Sequence, residues 1–241
     1  MMIDIREVLK NGALSYDIHL NDQQIEQFIL YMELLKEWNE KINLTTITDD
    51  MEIVRKHFLD SISIVKSGLV KEGTSLIDVG TGAGFPGIPI KIIIPGIKVV
   101  LLDSLNKRII YLNEVINKLN LKDIEAVHGR AEEFSKKPDY REKFDIATAR
   151  AVANLAVLSE YCIPYVKVKG HFISMKGPSI DEEIVNGKNA ISTLGGKFVE
   201  IIKTEIPGEA LDHRLVIVEK IRSTDVKYPR KYAQIEKKPI K

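Results

Sequence analysis

Apolar residues in the first third of the chain recur at steps of three and four, whereas beyond Gly73 they come in short runs of four to six. The first spacing is that of a helix with one buried side. Ile25, Phe28, Ile29, Met32, Leu35 and Trp38 predict a helix over 21–40, with Asn21 or Asp22 as its N-cap. Ile53, Val54, Phe58, Ile62 and Val65 predict a second over 50–66. Past Gly73, aliphatic runs over 75–79, 98–103, 125–128, 144–149, 171–175 and 215–219 alternate with helical stretches over 86–94, 104–119, 151–161 and 179–194. Such alternation predicts βαβ units, hence an α/β fold with a mostly parallel sheet and helices on both faces. The implied organisation is a small N-terminal helical region over 1–72, an α/β domain over 73–222 and a C-terminal tail over 223–241. With Pro229 and Pro239 among lysines, the tail is expected to be extended.

Composition adds limits. A chain of 241 residues can bury a full core without staples, and its single cysteine, Cys162, excludes an internal disulfide. No Cys/His spacing resembles a zinc site, so no metal is expected. The N-terminus lacks an apolar signal segment and no aliphatic stretch is long enough to span a bilayer, which predicts a cytoplasmic, membrane-free protein, taken as a monomer. The net charge of +1 is uninformative, but its distribution is not: from Lys220 to Lys241 there are eight Lys/Arg against two Asp/Glu. That run is either a solvated tail or a contact for nucleic acid.

The central signal is D-V-G-T-G-A-G-F-P-G, running from Asp78 to Gly87. An apolar strand enters alternating glycines, which let the main chain approach a ligand, and a helix N-terminus follows. Gly82, Gly84 and Gly87 match a dinucleotide G-x-G-x-x-G, but Asp78 at the strand end and Gly80 opening the turn are unlike the nicotinamide fingerprint. The next strand closes on Asp103, a carboxylate able to accept both ribose hydroxyls of an adenosine, or else to cap the helix beginning at Ser104. Past the third strand, the loop His128-Gly129-Arg130-Ala131-Glu132 offers a small residue and free backbone amides, either for a ligand or as a plain polar connection.

The glycine turn resembles motif I of the class I (Rossmann-like) methyltransferases. Further motifs make the resemblance narrower. They are D-S-x-x-K-R from Asp103 to Arg108, R-A-E from Arg130 to Glu132, F-D-I-A-T-A-R-A-V from Phe144, and M-K-G-P from Met175. Outside that domain stand W-N-E-K-I-N-L-T from Trp38, K-H-F-L-D-S from Lys56 and Y-P-R-K from Tyr228. Together they resemble the RsmG (GidB) family, ribosomal RNA small subunit methyltransferase G, over nearly the whole chain. Ala149, where members often carry Ser or Cys, is a minor departure.

The resemblance implies S-adenosyl-L-methionine as cofactor and methylation of a guanine N7 in 16S ribosomal RNA, as free RNA or within the 30S subunit. It implies cofactor contacts at Asp78, Gly80, Gly82, Gly84, Phe85, Asp103, Ser104, Leu105, Ala131, Glu132 and Arg150. Arg150 and Lys176, at the ends of neighbouring strands, are expected to position the reactants. Arg130, Lys176, Arg214, Arg230 and Lys231 are expected to meet RNA. His57 and Asp60, at i and i+3, are read as a structural clasp. Cys162, in an apolar helix end, is expected to be core, which disfavours chemistry through a cysteine adduct. A small-molecule methyltransferase of the same fold, or an RNA- or nucleotide-binding module without turnover, remains open at this stage.

Overall fold

The computed structural model describes residues 4–150, 153–178, 180–210 and 213–240. The expected helix starts at Ala151 and Ser179 lie outside them.

Seven strands form one sheet: β1 (Ser75–Val79), β2 (Lys98–Asp103), β3 (Ile124–His128), β4 (Phe144–Arg150), β5 (Val166–Lys176), β6 (Gly196–Thr204) and β7 (His213–Lys220). Their order is β3-β2-β1-β4-β5-β7-β6; the first five are parallel, and β7 is antiparallel to both β5 and β6. Leu76, Ile77, Leu101 and Leu102 are buried, the near-continuous apolar pattern of strands covered on both faces. The order reverses between β1 and β4, where ligands collect beyond the carboxyl ends of parallel strands.

β6 was not among the runs expected from sequence. It is an edge strand whose Val199 and Ile201 face solvent, so the burial that would mark it is missing.

Ten α-helical segments accompany the sheet among the described residues. α1 (Ile5–Leu14) and α2 (Asp22–Ile42) come first. A continuous helical run follows: α3 (Asp50–Glu52), a π-helical turn (Ile53–Leu59), α4 (Asp60–Ile62) and a 3-10 turn (Ser63–Ser67). Among the strands lie α5 (Gly87–Ile93), α6 (Asn106–Lys118), α7 (Ala131–Phe134), α8 (Leu155–Cys162) and α9 (Asp181–Thr193), and α10 (Tyr232–Lys237) lies in the tail.

Asn21 caps α2 as expected: its side chain accepts from the Gln24 amide at 2.9 Å, and the Gln24 side chain accepts from the Asn21 amide at 3.0 Å. α1, not anticipated from sequence, approaches the helical run so closely that a Cβ on Gly12 would stand 2.3 Å from Leu59 Cδ1.

The helices of the first 72 residues share a buried cluster with the α/β half: Leu9, Phe28, Tyr31 and Phe58 pack together with Ile90, Leu101 and Leu112. Hydrogen bonds also fasten the halves, among them those from Gln24 Nε2 to the Ile92 carbonyl at 2.8 Å and from Tyr31 Oη to the Ala83 carbonyl at 2.6 Å.

The tail corrects the extended expectation. Beyond Arg222 it is pinned by Arg141, whose guanidinium donates to the carbonyls of Thr224 at 2.8 Å and Tyr228 at 3.0 Å. It then forms α10, whose Ile235 is fully buried.

Candidate functional site

The glycine turn follows β1 with Gly80, Gly82 and Gly84 all at positive φ, between 62° and 99°. Gly84 is also crowded: a Cβ there would lie 2.7 Å from Tyr31 Oη, the hydroxyl that holds the neighbouring Ala83 carbonyl. Beneath the turn, Asp78 is inaccessible to solvent, and its Oδ2 accepts from Thr81 Oγ1 at 2.7 Å and the Gly87 amide at 2.9 Å. Burial pushes its carboxyl up to about 6 against those two hydrogen bonds. Asp78 therefore braces the turn from below.

Asp103 ties the turn to β2. Its Oδ2 accepts from the Gly82 amide at 2.9 Å and from Arg108 Nη1 at 3.2 Å, and its Oδ1 accepts from the Leu105 amide at 2.9 Å. Although only 3% exposed, Asp103 borders a cavity of about 300 Å3 shared with Gly80, Ser104, Ala131 and Glu132. A fixed carboxylate, bare main chain and a small alanine suit an adenosine: an acceptor for sugar hydroxyls beside a slot for a flat base.

A second cavity, of about 410 Å3, opens past the ends of β4 and β5, lined in part by His57, Asp60, Arg150, Lys176 and His213. Arg150 is its hub. Nη1 donates to Asp60 Oδ2 at 2.9 Å and to the Lys56 carbonyl at 3.1 Å; Nη2 donates to His57 Nδ1 at 3.3 Å; the guanidinium lies 4.8 Å from the Phe85 ring centroid. The π-helical turn Ile53–Leu59 presents His57 and the Lys56 carbonyl to it, in line with the tendency of such turns to occur at functional positions. Asp60 Oδ1 accepts from His213 Nδ1 at 2.6 Å. Burial alone would raise the Asp60 carboxyl, but His213 and Arg150 outweigh it and hold it below its usual range; the same bond from Asp60 raises His213.

Because Arg150 can only donate, His57 Nδ1 carries its lone pair and Nε2–H donates to Thr45 Oγ1 at 2.9 Å. Burial, then the Arg150 charge, lowers His57 to about 4. The folded protein thus refuses a proton that unfolded His57 accepts below 6.5. His57 is expected to reduce stability as pH falls from 6.5 towards 4, by up to about 1.4 kcal/mol per pH unit. Urea denaturation across this interval checks it, with His57→Gln expected to lose that part of the slope; parallel profiles for the two proteins would refute it. His213 acts in the opposite sense, its contribution being full below 6.5 and lost as pH rises through its elevated value.

The expected residues thus separate into several groups. Gly80, Asp103, Ser104, Ala131 and Glu132 border the first cavity; Gly82 and Leu105 serve it through amides held by Asp103. Gly84 and Phe85 lie on the other side of the turn, where Phe85 stacks on His57 with centroids 4.6 Å apart. Arg150 lines the second cavity, with its guanidinium bound to Asp60. Lys176 shares the second cavity, yet its ammonium pairs with Glu183 at 2.7 Å and donates to the Ala153 carbonyl. His57 and Asp60 do form a structural clasp, though joined through Arg150 rather than to each other.

Of the cations assigned to RNA, Arg130 is exposed and stands 5.2 Å from the Tyr232 ring, while Arg214 donates to the His213 carbonyl at 3.2 Å. Lys231 is exposed at the start of α10. Arg230 is committed inward to Glu160, itself fully buried, at 2.6 Å. Cys162 is buried, which pushes its thiol well above the ordinary value.

Sequence reasoning missed Leu158, Tyr161, Tyr232 and Glu236 at the first cavity and His213 at the second. The i, i+4 spacing of Tyr232 and Glu236 about the apolar Ile235 was a usable signal of a short packed helix.

Comparison with known proteins identifies the family. The family model described as rRNA small subunit methyltransferase G matches residues 24–211. A protein named ribosomal RNA small subunit methyltransferase G from Clostridium perfringens is 56% identical, covering 98% of each chain. A namesake from Alkaliphilus metalliredigens is 51% identical over 99% of this chain and 100% of its own. Among solved structures, a SAM-dependent methyltransferase from Aquifex aeolicus superposes with a TM-score of 0.53 at 19% identity, covering 71% of this chain and 94% of its own, a likeness of fold.

Proposed function

The chain belongs to the rRNA small subunit methyltransferase G family, and from that premise we propose that it methylates N7 of a guanine in 16S ribosomal RNA. Its methyl donor is S-adenosylmethionine, which supplies an electrophilic methyl group on a sulfonium. Near-complete coverage by relatives of the same name does not favour the small-molecule or non-catalytic readings.

The observation that carries the cofactor assignment is the Asp103 carboxylate, buried, fixed by the amides of Gly82 and Leu105, and bordering the cavity at the strand-order switch. It accepts the ribose hydroxyls without having to be ordered at the moment of binding. Gly80 brings bare main chain to the ligand, and Ala131 leaves room for the adenine.

The second cavity supports guanine N7 as the nucleophile. N7 carries an in-plane lone pair, so no base need remove a proton. Three of the ionisable groups lining it are already engaged: His57 uses both ring nitrogens, Asp60 both oxygens, and Lys176 is paired with Glu183. They hold shape, and positioning alone can contribute roughly 7 to 11 kcal/mol to lowering the barrier. Arg150 is accordingly a positioning residue, fastening the helical run to the end of β4.

The test is transfer of labelled methyl groups to 16S RNA and to 30S particles from cells lacking the enzyme. Borohydride reduction and aniline treatment then cleave the chain at 7-methylguanosine. One cleavage site that coincides with the label is expected. Label retained in nucleotides resistant to this cleavage, or transferred only to metabolites, would sink the assignment.

A further inference from the structure

The basic tail passes over the first cavity. Arg230 is joined to Glu160 of α8 through its backbone amide at 2.8 Å and its guanidinium at 2.6 Å, and Ile235 is buried in the cluster beneath the same helix. Those two anchors fix the rotation of α10. Tyr232 and Glu236, one turn apart, consequently border the cavity that Asp103 also lines, beside Tyr161 and Arg130. Tyr161 Oη donates to Glu236 Oε1 at 2.8 Å, and the Arg130 guanidinium sits 5.2 Å from the Tyr232 ring centroid. The match to the family model ends at residue 211, so the α10 side of this wall, Tyr232 and Glu236, comes from sequence beyond it, while Tyr161 lies within it.

We propose that α10 is part of the cofactor site, with the Tyr232 ring and the Tyr161–Glu236 pair forming the wall that covers the adenosine end of S-adenosylmethionine. This rests on the cofactor assignment above and deepens it. An adenosine has an apolar, polarisable base and hydrogen-bond donors at its exocyclic amine and its sugar hydroxyls. The wall answers both features, an aromatic ring for the first and a carboxylate for the second. The tail is thereby tied to cofactor affinity, and its inward-paired Arg230 serves the protein's own packing.

The experiment is calorimetric titration of the full-length protein with S-adenosylhomocysteine, alongside 16S RNA binding at fixed salt. Tyr232→Ala removes a ring that is 52% exposed, so the fold is expected to survive. Cofactor affinity should fall roughly tenfold while RNA affinity stays within a factor of about two. Tyr232→Phe should restore it, because the ring and not the hydroxyl forms the wall. Tyr161→Phe, which fills the same space but releases Glu236, should weaken the cofactor several-fold and provides an independent reading. Unchanged cofactor affinity in both Tyr232→Ala and Tyr161→Phe, or a loss confined to RNA binding, would overturn the proposal. The two readings fail separately: tail variants that weaken the cofactor in a protein that never labels RNA would remove the substrate assignment and keep the wall.

Discussion

Replacing Asp103 with alanine is expected to lower affinity for S-adenosylmethionine and S-adenosylhomocysteine by at least about a hundredfold. Hydrogen bonds to a charged group contribute about 1.5 to 3 kcal/mol each, and the ribose offers two hydroxyls, so roughly 3 kcal/mol or more is at stake. The loss has a second source in the protein itself. The amides of Gly82 and Leu105 both donate to this carboxylate, and removing it loosens Gly82 where cofactor and main chain must meet, leaving the turn held to β2 by the Gly80 and Thr81 amides on the Leu102 carbonyl. Asp103→Asn keeps the shape and one acceptor, and is expected to fall between the two. Isothermal titration decides the matter: a loss below tenfold in the alanine variant would mean that the sugar is held elsewhere.

Arg150→Ala is expected to destabilise the folded protein by about 3 to 5 kcal/mol, the usual consequence of stranding one charge of a buried pair. Asp60 is 3% exposed, and its remaining partner would be His213. The same substitution withdraws the donor that holds the Lys56 carbonyl and His57, so the helical run loses its fastening to the end of β4. Against a total stability of about 5 to 15 kcal/mol this is a large share. Urea denaturation without cofactor measures it directly, and a change under about 1 kcal/mol would show that the cluster is dispensable to the fold. Methyl transfer by the fraction that remains folded should also be impaired, since the second cavity would lose its shape.

Legibility varied with the range of the cause. The helix over Asp22–Ile42 and its Asn21 cap were readable because capping and apolar spacing are local. The strands through Leu76 and Leu101 were readable because strands covered on both faces need unbroken aliphatic runs. β6 escaped because an edge strand buries little, and α1 escaped because its contact with Leu59 depends on Gly12, a poor helix former chosen for closeness. The tail misled in another way. The C-terminal cations read in sequence as a solvated run or a nucleic-acid contact, yet Lys220, at the end of β7, is buried and paired with Glu142 at 3.2 Å, while Arg230 is paired with Glu160. Charge in sequence does not reveal which partners folding will supply.

The sequence by itself determined the alternating architecture, the glycine turn with Asp103 one strand away, and membership of a methyltransferase family. All three rest on short-range patterns or on motifs whose chemistry tolerates few residue types. Tertiary structure alone decided that Arg150, the His57–Asp60 pair and His213, drawn from three separate stretches, form one buried network, and that the C-terminal helix reaches the cavity that Asp103 lines. The reason is physical: which side chains share a cavity depends on strand order and on how distant helices dock, and neither leaves a periodic trace along the chain.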